Sequence, residues 1–361
     1  MRITHKLHEI ISGAPLSIPI TATGSWSDSM TSVGSGRFRI PLALSRFTPA
    51  EWEGSTVHWW HMIAEYWDGH PMYFGLIKDK VFDFDTNMLE LSTVTVDDLF
   101  SNRYTFGVAN YDDGDLSIES QTLRAALVQV LQRGMAWGGT WPLPFDFVSP
   151  TVEGGAFSQD WKRHDWKRIS DLVKIIQSQD GGPDLAFVPK VTAQSYARWD
   201  VHTGSPRIDG PTIDLPVSVR RSLAKGVRLK QAGGDMASGT MVRGEGLGKG
   251  RPYGWAGFMD GPAMVVRDTA RDMVANDANL MSIAQGDLKR LRSPTEQYEY
   301  DLVVGDASNP FPIRDLRLGT RFNFRHSGNA YRAAESQTHY LVAMAHDTSN
   351  PHIVNPEVQP L

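Results

Sequence analysis

Apolar residues change their spacing twice along this chain of 361 residues, from a period of two to a helical period of about 3.6 and back. That order limits the chain to folds in which strands enclose a helical segment. Between residues 18 and 96, alternation broken by turn residues predicts strands over Ile18–Thr23, Gly36–Leu44, Ser55–Trp67, Met72–Phe84 and Met88–Val96. The clearest hairpin joins Val57–Ala64 to Met72–Ile77 through Asp68-Gly69-His70-Pro71, a segment with the chemistry of a tight turn. Large residues on both faces of that first strand imply cover on both sides. Core packing is the simpler account of Trp59 and Trp60, against a ring platform for sugar or peptide.

Between Asp112 and Asp180 the spacing becomes helical. Ser117 or Ser120 is placed to cap a helix over Glu119–Arg133, with Leu123, Leu127, Val130 and Leu131 on one face and Gly134 beyond it. A second helix carries Trp166, Ile169, Leu172, Val173 and Ile176 and stops at Gly181-Gly182-Pro183. The connection Gly134–Gly155 is too long for a plain turn. Strands return over Leu185–Val188, Tyr196–Val201, Ile213–Arg221, Gly226–Lys230 and Ala237–Arg243, followed by a Gly-rich stretch, Gly244–Gly257. A long helix is expected over Val266–Leu291, its apolar face interrupted by Asp277. Strands at Glu296–Val304, Arg321–Phe324 and His339–Ala345 and a Pro-rich tail from Pro351 complete the chain. No internal repeat is visible.

Composition removes several function classes. Without cysteine there are no disulfides, thiolate zinc sites, iron–sulfur clusters or cysteine nucleophiles. The net charge of −5 gives no overall attraction to nucleic acid or anionic membrane. No apolar run approaches the roughly 18 residues of a spanning helix, and the first twenty residues, carrying Arg2, Lys6 and Glu9, do not form a signal peptide. The skew that remains is 33 Gly, 21 Pro and 11 Trp, which suits a turn-rich protein with wide contact surfaces.

Candidate motifs for chemistry fail on spacing. Gly244-Glu245-Gly246-Leu247-Gly248-Lys249-Gly250 has three residues where a P-loop has four, lacks the following Ser or Thr, and runs into Arg251-Pro252 rather than a helix. A tightly turned loop accounts for it. His58 and His61 are three apart on an expected strand and point to opposite faces, and His5-x-x-His8 supplies no third ligand. Asp112-Asp113-Gly114-Asp115 lacks a calcium-loop frame and reads as a solvated turn. Gly34-Ser35-Gly36 is not a nucleophile elbow, and the pair Asp83 and Asp85 is a common solvent-face pattern. Trp161–Arg168 mixes cations and aromatics as a nucleic-acid or partner surface does, yet Trp166 as core anchor with solvated cations is the simpler reading. No catalytic, cofactor-binding or metal-binding residue is assigned, and no cofactor is expected.

The order of elements does carry a resemblance. Tyr66-Trp67-Asp68-Gly69-His70-Pro71-Met72-Tyr73-Phe74-Gly75-Leu76-Ile77, the helix on Leu123–Leu131, the helix ending at Asp180-Gly181-Gly182-Pro183-Asp184-Leu185-Ala186-Phe187-Val188-Pro189, and Leu316-Arg317-Leu318-Gly319 resemble the minor tail proteins of actinobacterial long-tailed phages, in the baseplate hub or tail-associated hub family. The likeness runs from about residue 20 to residue 345.

The resemblance implies an α+β, mainly β fold: a tail-tube-like β-barrel over 1–113, a helical α/β insertion over 114–190, and a second β-barrel over 191–361 with the long helix near 266–291. It implies a homotrimeric ring at the tail tip of a siphovirus virion, assembled in the host cytoplasm. Such a ring joins a six-fold tube to a three-fold tip beside distal tail, tape measure and other tail-tip proteins. Relatives often carry a cell-wall-cleaving domain after this module; the chain ends at Leu361 without one, so the expectation is a structural protein and not an enzyme. Three chains at −5 each make −15, and a channel that passes DNA without holding it should have a neutral to acidic wall. No membrane insertion is expected. The competing reading is a carbohydrate-binding or carbohydrate-cleaving β-protein acting on host cell wall through exposed Trp residues.

Overall fold

The computed structural model describes all residues except 17–18, 45–46, 108–110, 136–141, 220, 258–265, 271–275, 293–294, 306–309, 329 and 331–332. In chain order the first elements are β1 (Ile3–Glu9), β2 (Thr23–Ser29), β3 (Ser35–Pro41), α1 (Pro49–Ser55), β4 (His61–Trp67), β5 (His70–Asp83) and β6 (Met88–Val94). A helical stretch follows, with β7 (Leu116–Gln121), α2 (Leu123–Met135), β8 (Phe145–Phe147), β9 (Phe157–Trp161), α3 (Ile169–Gln177), β10 (Leu185–Val191) and β11 (Ala197–Thr203). The remainder comprises β12 (Thr212–Pro216), β13 (Ala224–Ala232), β14 (Gly239–Arg243), β15 (Tyr253–Gly257), β16 (Val266–Ala270), α4 (Asp277–Leu291), β17 (Thr295–Val303), β18 (Arg321–His326), β19 (Glu335–Asp347) and β20 (Ile353–Pro360). The fold is mainly β, as expected.

Among the described residues, twelve strands share one sheet. Its first run is β1-β4-β5-β6-β3-β2; its second is β12-β18-β19-β20-β17-β13; β2 and β19 join them, with Asp28 opposite Met344. The 13-residue β19 is the seam, because along one edge it pairs first with β18 and then with β2 while β20 lies along the other.

Strand β4 is buried along its whole length. Met62, Ala64 and Tyr66 point to one side and join a core with α2, α3, β11 and α4; Ile63 and Trp67 point to the other and join a core with Phe322, Phe324, Leu341 and Val354. The period-two alternation of large residues on β4 thus serves two cores. The β4–β5 hairpin turns at Asp68 (φ 47°) and Gly69 (φ 85°), as the Asp-Gly pair requires. Strand β14 and helix α4 also pack on the helical layer: Val242, Leu280, Ile283 and Ala284 belong to the core of α2 and α3. Asp180 is held there by Lys289 (2.6 Å) and by Ser282, whose Oγ accepts its N–H at 3.0 Å.

Several sequence expectations are corrected. The strand expected at Ile18–Thr23 instead begins at Thr23, with residues 17–18 outside the described set and an isolated bridge at Ile20. The Ser55–Trp67 strand starts only at His61, because α1 ends at Ser55 and a turn with Trp59 at φ 60° precedes the strand. The first helix starts at Leu123, behind Thr122, whose Oγ accepts the Ala125 N–H at 3.3 Å; Ser117 and Ser120 lie on β7. The long helix is α4 alone: Val266–Ala270 pairs in parallel with β14, residues 271–275 lie outside the described set, and Asn276 caps the helix through Ala278 N–H at 2.8 Å. The Pro-rich tail is strand β20, with Pro356 and Pro360 paired to β19. Strand β1 and helix α1, with its Thr48–Glu51 capping box, have no counterpart in the sequence reading.

Candidate functional site

At the seam between the two runs of the sheet lies a buried polar centre. Glu65 on β4 points into the core from between Ile63 and Trp67 and has no exposed surface. Its Oε1 accepts the indole N–H groups of Trp67 at 2.7 Å and Trp26 at 2.9 Å, and its Oε2 accepts from His5 Nε2 at 3.1 Å. His346 Nδ1, on β19, stands 3.1 Å from Oε1 but outside hydrogen-bond alignment. Burial alone would raise the carboxyl pKa; the His346 and His5 imidazoles outweigh it and bring the group down to about 2. One carboxylate therefore ties β1, β2 and β4 of the first run to β19 of the second.

A second polar feature lines a cavity of about 310 Å³ where the sheet meets the helical layer. Asp28, at the end of β2, and Asp97, in the 3-10 turn Val96–Ser101, both face it, with Tyr73, Phe100, Trp199 and Lys174 on the walls. Burial, reinforced by Asp97, pushes Asp28 up to about 7, and burial pushes Asp97 up to about 6. Neither acid stood out in the sequence, because they are 69 positions apart and meet only through sheet topology.

The residues singled out from sequence do not assemble a reaction centre. His58 is exposed on the turn before β4, while His61 accepts the Val57 N–H at 3.0 Å. His5 and His8 point to opposite faces of β1, toward Glu65 and toward the Tyr66 hydroxyl at 2.8 Å. Asp115 accepts the Arg163 N–H at 2.9 Å and lies 3.5 Å from Lys162, so this acidic turn holds down the basic segment. Among the described residues, no group of three His, Asp or Glu is placed to hold a metal ion. Gly248–Gly250 is a single 3-10 turn that leads into β15 rather than into a helix. Ser35 begins β3 opposite Val94. Asp83 accepts the N–H groups of Asp85 (2.9 Å) and Thr86 (3.2 Å), so this carboxylate fixes a turn instead of facing its neighbour across a cleft.

Two tryptophan readings are corrected. Trp166 is no core anchor: it sits left-handed at φ 51°, 58% exposed, against Tyr104 and Phe106, while Trp161 is the buried one. Trp60 is 48% exposed rather than packed. Other large apolar side chains also face solvent, including Met241 and Trp255 as cross-strand neighbours on β14 and β15. At the β5–β6 turn, Val81 and Phe84 are exposed and Phe82 partly so. Glu65 is thus buried between elements, while several large apolar side chains face solvent.

No protein-family model matches the chain, and no curated protein matches its sequence. Solved structures do match. The 43 kDa tail protein of prophage MuSo2 from Shewanella oneidensis superposes at TM-score 0.60 with 12% identity, covering 99% of this chain and 98% of that one. The fold is that of phage tail proteins. A tail protein from Neisseria meningitidis MC58 matches at TM-score 0.60 and 8% identity, over 99% and 97% of the two chains. An Escherichia coli component of the type VI secretion system, described as structurally similar to the T4 tail proteins gp27 and gp5, matches at TM-score 0.51 and 9% identity over 99% of this chain and 76% of that one. The hub-like resemblance of the sequence thus extends to the fold; actinobacterial origin has no counterpart in these matches.

Proposed function

We propose that this chain is a structural hub protein of a phage tail, a homotrimer at the tail tip that joins a six-fold tube to a three-fold end and lines part of the DNA channel. The observation that carries this reading is the end-to-end match to tail-protein folds: 99% of this chain against 98% and 97% of two tail proteins. In this reading the two six-stranded runs are the two tube-like modules, 1–113 and 191–361, and the 114–190 insertion decorates them. Distal tail, tape measure and neighbouring tip proteins are its partners in a siphovirus virion, and DNA passes without being held. The role is non-enzymatic. Exposed aromatic and aliphatic side chains such as Trp255, Met241 and Phe84 suit burial between subunits.

Carbohydrate binding is the alternative, and it needs aromatic rings gathered in one cleft. Trp60, Trp166 and Trp255 lie on three separate elements, the turn before β4, the turn after β9, and β15, and no ring contact among the described residues joins them; Trp166 packs against Tyr104, Phe106 and Tyr111. Light scattering on the purified protein separates the two. A particle of three chain masses with no retention on cell-wall glycan is expected; a single chain mass with glycan retention would overturn the hub reading.

A further inference from the structure

The β5–β6 hairpin ends in an apolar knob. Phe84 is 87% exposed and Val81 62%, and the Phe82 and Phe84 rings meet edge to face at 4.7 Å. Asp83 fixes the turn beneath them through the Asp85 and Thr86 N–H groups, and Asn87 closes it at φ 52°. Rigid exposed phenyl rings lose hydrophobic free energy in water and little entropy on docking, so such a tip is built to be covered. The segment Asp79–Asp85 holds three aspartates against one lysine.

The other run of the sheet offers a matching hole. Beside the edge strand β13 a half-open cavity of about 380 Å³ has Val217, Val227, Leu229, Tyr298 and Phe324 on its apolar walls and Ser218 and His326 as polar lining. A void of roughly 150 Å³ is enough to take up benzene, so by volume this cavity has room for a phenyl ring against its apolar walls. Residues 216–232 carry five Lys or Arg and no Asp or Glu. Glu299 and Asp301 on β17 stand opposite Arg228 and Lys225 and offset part of that charge, leaving the ribbon net basic. Knob and hole are different surfaces of one chain, as a head-to-tail contact needs, and their opposite charge favours the encounter.

We propose that the β5–β6 tip of one copy seats Phe84 in the cavity beside β13 of a second copy of this chain. This inference rests on the homo-oligomeric reading above and names its contact. Phe84→Asp destroys the knob and Val227→Asp, at the cavity mouth, destroys the hole; both sites are exposed enough for the fold to survive, which circular dichroism checks. In light scattering on the full chain, each variant alone is expected to run as a monomer. Mixed in equal amounts they should form a dimer, because one intact knob and one intact hole remain between them. Wild-type assembly that persists in Phe84→Asp, or variants that stay apart when mixed, would overturn the contact and leave the oligomer reading standing. A monomeric wild-type protein would overturn both.

Discussion

Four groups converge on Glu65, the one carboxylate with no exposed surface among the described residues. Glu65 accepts two indole N–H groups and one imidazole N–H, with a second imidazole 3.1 Å away. Removing it would strand those donors in a core where unpaired polar groups are costly. Glu65→Ala is therefore expected to cost about 3–5 kcal/mol in denaturant unfolding, because each buried donor left unpaired costs roughly 1–3 kcal/mol and three are left. Its pKa is lowered in the fold, so its contribution is complete above the unfolded value near 4.5 and fades as pH falls toward about 2. Asp28 and Asp97 act with the opposite sign. Both are raised, so the folded state holds more protons than the unfolded chain between their ordinary range and about 7, and stability declines as pH rises through that window. Asp28→Asn should flatten the decline and raise stability at pH 8 by on the order of 1–2 kcal/mol, the cavity's solvent screening part of the repulsion. Thermal unfolding at pH 5 and pH 8 measures it, and an unchanged pH slope in Asp28→Asn would count against the acid pair.

Elements were legible in the sequence where local chemistry alone decides them. The Asp68-Gly69 turn, the double-sided β4 and the apolar face of α3 at Ile169, Leu172, Val173 and Ile176 all follow from spacing and turn residues. Legibility ended where tertiary contacts overrule pattern. Helical spacing across 266–291 hid a strand at Val266–Ala270 because β14 offers an edge to pair with. Prolines at 351, 356 and 360 read as a tail, yet β20 has β19 beside it along most of its length. The Asp28–Asp97 cavity and the Glu65 centre were illegible for the same reason, each joining residues far apart in sequence. Strand β15 gives a test at this scale. Gly254 lies under α4, and a Cβ there would sit 2.2 Å from the Leu280 carbonyl carbon. Gly254→Ala should force α4 outward, costing about 1–3 kcal/mol by overpacking. Hydrogen exchange should accelerate in 277–291 first; uniform protection there would contradict the close approach.

At the scale of the whole molecule, one sheet of twelve strands carries two six-stranded runs, and the helical layer packs on one face of the first. The charge of −5 that argues against nucleic-acid binding is compatible with the proposed channel, through which DNA would pass without being held. Two different open surfaces on one chain, the acidic β5–β6 tip and the basic β13 ribbon, fit a ring better than a symmetric dimer. Averaged electron micrographs of the purified full-length protein test that account most directly. Rings of three subunits with an open centre, in which each subunit contributes two similar lobes around the opening, are the expected result. Single-chain particles, or rings of another symmetry, would contradict it.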